Sequence, residues 1–214
     1  AESVAVTKEV IENVIQKKNT LYDKAGEEHY NIISAFIKSL RGSDPDAALY
    51  WMARMIEGGE DPLFIARRMI IFSAEDIGNA SPNALLLAEA CFNSVDKIGM
   101  PESRIILAQC ATYLASSPKS NASYMGIEKA LEDVRSKNQY PVPLHLRNAP
   151  TRLMKEIGYG KNYQYPHEFA GNFVEKNYLP DEMKGTQYYF PSENGQEKTI
   201  KDRLKALWKT LKKY

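Results

Sequence analysis

Five prolines, at positions 45, 62, 82, 101 and 118, constrain this chain more than any other feature. They lie 17, 20, 19 and 17 residues apart, and each stands just inside or just before a segment carrying an apolar stripe. Proline has no N–H and a fixed φ, so it is tolerated in the first turn of a helix and breaks one anywhere later. The spacing leaves room for helices of roughly 14 residues joined by short turns. The fold class expected is all-α, a helical bundle or short solenoid. The side chains do not recur with the prolines, so no sequence repeat is inferred.

Punctuation is sharpest between His29 and Gly78. Ile33, Phe36, Ile37 and Leu40 stand at i, i+3, i+4 and i+7, one face of a helix that Arg41-Gly42 ends. Ser43 or Asp44 then offers a capping oxygen ahead of Pro45. Leu49, Met52, Ala53 and Ile56 mark the next helix, Gly58-Gly59 stops it, and Asp61-Pro62 repeats the cap and proline. Ala66, Met69, Ile70 and Ser73 continue the inner face, with Arg67 and Arg68 directed elsewhere. Leu85, Ala88, Phe92 and Val95 mark the segment after Pro82. Ile106, Cys110, Tyr113 and Leu114 mark the one after Pro101, and Ile127, Ala130, Leu131 and Val134 the one after Pro118. Upstream, Thr7 caps a short helix with Val10, Ile11, Val14 and Ile15 on one side, and the polar stretch NTLYDKAGEE reads as a linker.

The string SLRGSDPDAALYWMARMIEGGEDPLFIARRMIIFSAEDIG resembles the C-terminal region of the replication-associated recombination protein A family, also called MgsA, whose eukaryotic relative is the Werner helicase interacting protein. The likeness continues through SPKSNASYMGIEKAL, VPLHLRNAPTRLMKEIGYGKNYQY and YLPDEMKGTQYYFP, from about Tyr22 to Pro191. These are AAA+ ATPases close to the clamp loaders. The resemblance implies a nucleotide-binding module ahead of this segment, with ATP and magnesium bound there and no cofactor here. It further implies three regions: a remnant of the AAA+ lid helix over 1–20, an oligomerisation core like the clamp-loader collar over 21–137, and an irregular region with a terminal helix, packed on the same domain, over 138–214. The partners it implies are sister copies in a homotetramer and DNA at stalled or gapped replication forks.

Beyond Asn138 the residues themselves change character, because Pro141, Pro143 and Pro150 forbid a continuing helix. One short helix is expected from Pro150 to Ile157, ended by Gly158. Tyr188, Tyr189 and Phe190 suggest a brief strand, hence a short β-hairpin, and Asn194-Gly195 a turn. Ile200, Leu204, Leu207, Trp208 and Leu211 define a terminal amphipathic helix with seven basic residues from Lys198 to Lys213 against the single acid Asp202.

The formal charge of +1 gives no global attraction to nucleic acid or anionic membrane, so any electrostatic attraction is local. Cys91 and Cys110, in apolar helical contexts, suit a reducing compartment, and no metal cluster assembles from them with His29, His145 and His167. Without an apolar run long enough to span a bilayer, a soluble cytoplasmic protein is expected. Catalytic motifs do not close. Gly160-Lys161-Asn162 lacks the hydroxyl and leading glycine of a phosphate loop, His167-Glu168 has Gly171 where a second zinc-binding histidine belongs, and no G-x-S-x-G exists. The expectation is a chain that performs no reaction alone.

Local charge gathers from Arg135 to Lys161, where Arg135, Lys137, Arg147, Arg152, Lys155 and Lys161 face only Glu156. With Tyr159 and Tyr163 interleaved, this suits a phosphate backbone with stacking on bases or sugars. The candidate DNA contacts are therefore Lys119, Arg147, Arg152, Lys155, Lys161, Tyr159 and Tyr163. Bland readings stand beside these. His145-Leu146-Arg147-Asn148 reads equally as a hydrogen-bonded knot pinning the loop, the tyrosines as packing groups, and Lys119-Ser120-Asn121 as a helix cap. For assembly, the helices carry more apolar surface than one face buries, which names Met52, Met55, Ile56 and Ile71 as candidate interface residues. Arg67 and Arg68 join them as candidates, reading either as partners of Glu75 and Asp76 or as partners of a neighbouring copy's carboxylates. Two functions remain open: an oligomerisation and DNA-targeting module, or a platform recruiting a replication partner such as single-strand-binding protein without touching DNA.

Overall fold

In the computed structural model, which describes residues 7–8, 27–136 and 138–214, the chain is helical and forms two compact units. The helix expected over Val10 to Ile15 and the lid remnant over 1–20 lie almost wholly outside the described residues. One unit runs to Ile77 and resumes over Ser81–Lys119; the other comprises Gly78–Ala80 and Ser120–Tyr214. The division falls at 119/120, and the helix after Pro118 groups with the C-terminal residues.

The first unit contains α1 (Glu27–Arg41), α2 (Pro45–Glu57), α3 (Pro62–Phe72), α4 (Asn83–Ile98) and α5 (Ser103–Ser116). Asp44 and Asp61 cap α2 and α3, accepting from Ala47 N at 2.9 Å and Leu63 N at 3.0 Å, with Pro45 and Pro62 in the first turn as read. Ile33, Phe36, Ile37 and Leu40 are all buried. Helix α5 is central, packing on α1, α2, α3 and α4. Its inner residues are Leu107, Cys110, Ala111, Leu114 and Ala115, small or apolar on more than one side, as a helix touching four neighbours needs. The free thiols of Cys91 and Cys110 lie in this core. The Cys110 thiol is pushed up by its hydrogen bond to Cys91 and by burial, which leaves it an inert packing group.

After α3 a π-helical turn, Ser73–Ile77, carries Glu75 and Asp76 toward the end of α1. Asp76 accepts from Arg41 Nη2 at 3.0 Å, and Glu75 lies 3.9 Å from the same guanidinium. Arg67 instead pairs with Asp61 at 3.3 Å, and Arg68 keeps a covered Nε with no hydrogen-bond partner. The acids expected to meet Arg67 or Arg68 are thus held by Arg41.

Met52 and Met55 are 3% and 1% exposed, so as assembly contacts they are corrected: the first unit's own core consumes their surface. Ile56 is half-buried, while Ile71 remains 47% exposed. The outward apolar residues sit elsewhere in this unit. Leu86, Ile98, Met100 and Ile105, on α4, α5 and the turn between them, are all largely exposed. The inner face of α4 is Ala84, Ala88, Cys91 and Val95, so Leu85 points out. No helix among the described residues is long and apolar enough to cross a membrane.

The second unit contains α6 (Ala122–Ser136), α7 (Arg152–Ile157) and α8 (Glu197–Leu207) within irregular chain. No strand occurs among the described residues. Tyr188 to Phe190 are extended but lie along α6 instead of a partner strand. A side chain at Gly126 would stand 3.1 Å from the Tyr188 carbonyl oxygen, and Tyr188 Oη donates to Asp133 at 2.9 Å. The stripe on α6 is only partly covered, since Ile127 and Val134 are exposed.

A buried polar hub, which sequence did not announce, organises this unit. Glu197, 0% exposed in the first turn of α8, accepts from Tyr189 Oη at 2.7 Å, Ser192 Oγ at 2.6 Å, Ser192 N at 3.0 Å and the Ser120 hydroxyl. Asn79 donates to Tyr189 Oη at 3.1 Å and Ser123 Oγ at 3.2 Å, and Gln196 N to Ala80 O at 2.9 Å. Burial raises the Glu197 pKa, but the four donors outweigh it and hold the carboxyl below its ordinary value. Tyr189, half-buried beside that carboxylate, is pushed up to about 12.

Candidate nucleic-acid interface

Between α6 and the hub, local chemistry folds the proline-rich stretch. A 3-10 turn at Leu144–Leu146 follows Pro143, and Thr151 caps α7 by accepting from Met154 N at 3.3 Å. Gly158, at φ 94°, closes α7 in the left-handed conformation only glycine adopts freely. The chain then doubles back, Gly160 N donating to Leu144 O at 2.9 Å.

Arg147 fastens this loop. Its Nε donates to Val142 O at 2.6 Å and its Nη1 to Tyr159 Oη at 3.2 Å, while the guanidinium lies 5.0 Å from the Tyr159 ring centroid. Of the four residues His145 to Asn148, Arg147 is the one whose side chain pins the loop, and Arg147 and Tyr159 are occupied with each other. Arg147→Lys is expected to loosen the loop by about 1–2 kcal/mol, because an ammonium cannot reproduce the planar fork. Faster limited proteolysis between residues 139 and 165, with α8 unaffected, checks it.

Lys119, another basic candidate, is engaged within its own unit. Its Nζ donates to Ala115 O at 2.8 Å, to Ser117 O and to Ser43 Oγ at 3.1 Å, capping the end of α5, and burial lowers its pKa. Ser120, in the other unit, caps α6 through Ala122 N at 3.3 Å. The terminal lysines are also partly engaged: Lys201 and Lys198 meet Glu193 and Asp202, and Lys212 covers Trp208 at 4.7 Å. Helix α8 ends at Leu207, short of Leu211, because the Glu175 carboxylate takes the amides of Thr210 and Leu211 at 2.7 and 3.0 Å.

Three candidates remain outward. The Arg152 side chain is 93% exposed and pairs only with Glu156 one turn on, at 2.9 Å, a surface bridge of little worth. Lys155 and Lys161 are exposed with no side-chain partner among the described residues. Both line a groove of about 820 Å³ together with His145, Lys176 and Asp181. Tyr163 stays half-exposed beside Lys161. Lys176 escaped sequence reasoning because it lies 14 residues beyond Asn162, outside any local charge run, and reaches the groove only through the fold.

The sequence model described as MgsA AAA+ ATPase C terminal matches residues 42–208. The chain belongs to this family. That match takes in α2 through α8 and the whole groove, while a model described as AAA C-terminal domain matches residues 1–41, including α1. Among curated relatives, replication-associated recombination protein A of Haemophilus influenzae is 43% identical over 203 residues, covering 94% of this chain and 46% of that protein. The protein of the same name from Escherichia coli K12 is 45% identical over 197 residues, covering 92% and 44%. ATPase WRNIP1 of Dictyostelium discoideum is 43% identical over 187 residues, covering 87% and 21%. The chain thus spans less than half the length of these relatives.

Proposed function

We propose that this chain is the assembly and DNA-targeting module of a clamp-loader-like AAA+ ATPase acting in the cytoplasm in replication-fork maintenance and recombination, and performs no reaction of its own. ATP and magnesium belong to the ATPase module of the whole protein. The observation that carries this reading is the family match over residues 42–208, joined to relatives named for replication-associated recombination. Lys155 and Lys161 support the DNA half, being exposed and unneutralised in a chain of nearly balanced charge. The exposed Leu86, Ile98, Met100, Ile105 and Ile71 support assembly as outward apolar side chains that a sister copy could cover.

Sedimentation of the chain with and without forked DNA tests both halves. Expected are a homotetramer at micromolar concentration and DNA moving with it at low salt. A monomer throughout removes the assembly half, and DNA left behind removes the other. A second reading, recruitment of a partner such as single-strand-binding protein, is favoured by exposed Met125 and Phe190, which line a groove of about 730 Å³ on α6. That reading gains if the partner co-sediments while DNA does not.

A further inference from the structure

We propose that the groove beside α7 is a phosphate-binding site formed jointly by Lys155, Lys161 and Lys176. The fold brings these ammonium groups together from three places: the last turn of α7, the reversal after it, and a loop 15 residues beyond Lys161. Backbone at positive φ at Gly158 and Gly160 turns the chain back on itself between the first two, and Asn162, also at positive φ, follows directly after Lys161. Lys176 donates to the Asn162 carbonyl, which ties the third segment to that reversal and leaves two further N–H donors on the ammonium.

Charge accounting favours an anion. Of the two acids lining the groove, Glu156 is engaged by Arg152, leaving Asp181 against three lysines. His145 lines the same groove, and its covered Nε2 has no hydrogen-bond partner among the described residues. Three nearby backbone donors are already committed: Gly158 N to the end of α7, Gly160 N to Leu144 O and Lys161 N to Gly158 O. A ligand therefore meets chiefly side-chain ammonium groups. Such point charges suit phosphate oxygens and carry no base specificity. Resting on the proposed function for the identity of the polyanion, the site takes successive phosphates of a nucleic-acid strand.

The test uses the full chain, the variant K155Q/K161Q/K176Q and its arginine counterpart K155R/K161R/K176R. Binding of a short labelled oligonucleotide is followed by anisotropy as salt rises from about 50 to about 200 mM. In the glutamine variant, affinity at the low-salt end is expected to fall about tenfold or more, and the slope of log K against log salt to lessen by roughly 2. The arginine variant keeps both, and circular dichroism shows all three chains folded. Inorganic tripolyphosphate is expected to shift the amide resonances of Lys161, Asn162 and Lys176. Unchanged affinity and slope in the glutamine variant overturn the site while leaving DNA binding in place. Tripolyphosphate shifts without oligonucleotide binding keep the site and overturn the nucleic-acid reading, and no shift with either probe overturns the site.

Discussion

Glu197→Ala is expected to destabilise the C-terminal unit by about 3 kcal/mol or more. The change strips a fully buried carboxylate from four donors at once: the hydroxyls of Tyr189, Ser192 and Ser120 and the Ser192 amide. Each loses its acceptor in a site that is at least partly covered, a cost of up to about 1–3 kcal/mol apiece that refilling water partly offsets. Glu197→Gln keeps the shape but turns one acceptor into a donor facing donors, so a loss of about 1–2 kcal/mol is expected. Trp208, packed edge-on against Phe173 at 5.2 Å, reports this unit, and Trp51 on α2 reports the other. Urea unfolding of single-tryptophan variants should show the loss in the Trp208 transition, and an unchanged midpoint there would refute the hub's role.

Acid gives the same answer by another route. The Glu197 pKa lies below its ordinary value in the folded chain, so its charge stabilises the fold fully above the unfolded carboxylate range, about 4. That stability is lost as pH falls through the depressed folded value. Wild type should therefore lose stability on acidification below about pH 4 more steeply than Glu197→Gln, which has no proton to take up there.

The second large effect is expected at Gly78, where the chain enters the C-terminal unit for three residues. Its φ is 49°, and an added Cβ would stand 2.8 Å from the Ser120 carbonyl oxygen. That carbonyl cannot easily retreat, because the Ser120 hydroxyl is bonded to Glu197 and takes the Ala122 amide at 3.3 Å. Gly78→Ala thus adds left-handed strain of about 1–2 kcal/mol to a backbone collision of about 1–3 kcal/mol. Gly185→Ala separates the two contributions. Gly185 also has positive φ, 84°, but a Cβ there meets nothing within 4 Å, so strain alone applies. If both substitutions shift the Trp208 transition equally, the close approach at Ser120 carries no cost.

The helices of the first unit were legible because their signals are local. Asp44 with Pro45, Asp61 with Pro62, and the stripe Ile33, Phe36, Ile37 and Leu40 each act within a turn or two of the residues that encode them. Periodicity gives a face without fixing its rotation to within one residue: the stripe through Leu85, Ala88, Phe92 and Val95 is turned in the fold so that Ala84 and Cys91 join Ala88 and Val95 inside. Met52 and Met55 show the same limit. Apolar pattern says that a side chain will be covered, but whether by its own chain or another copy depends on α1 and α5 packing nearby. Among the basic residues, Lys119, Arg147, Lys155 and Lys161 carry similar charge in the sequence, yet two cap or pin backbone and two remain free to meet a ligand.

By itself the sequence determined that this chain is helical, where its proline-started helices begin, and the family to which it belongs, because these rest on short-range sterics, capping and ordered residue matches. Only the tertiary structure decided that Glu197 is buried among its donors, that Gly78–Ala80 leaves one unit for the other, and that Lys176 joins Lys155 and Lys161. Each brings together residues distant in sequence, and no local pattern encodes a meeting that depends on the path of the intervening chain.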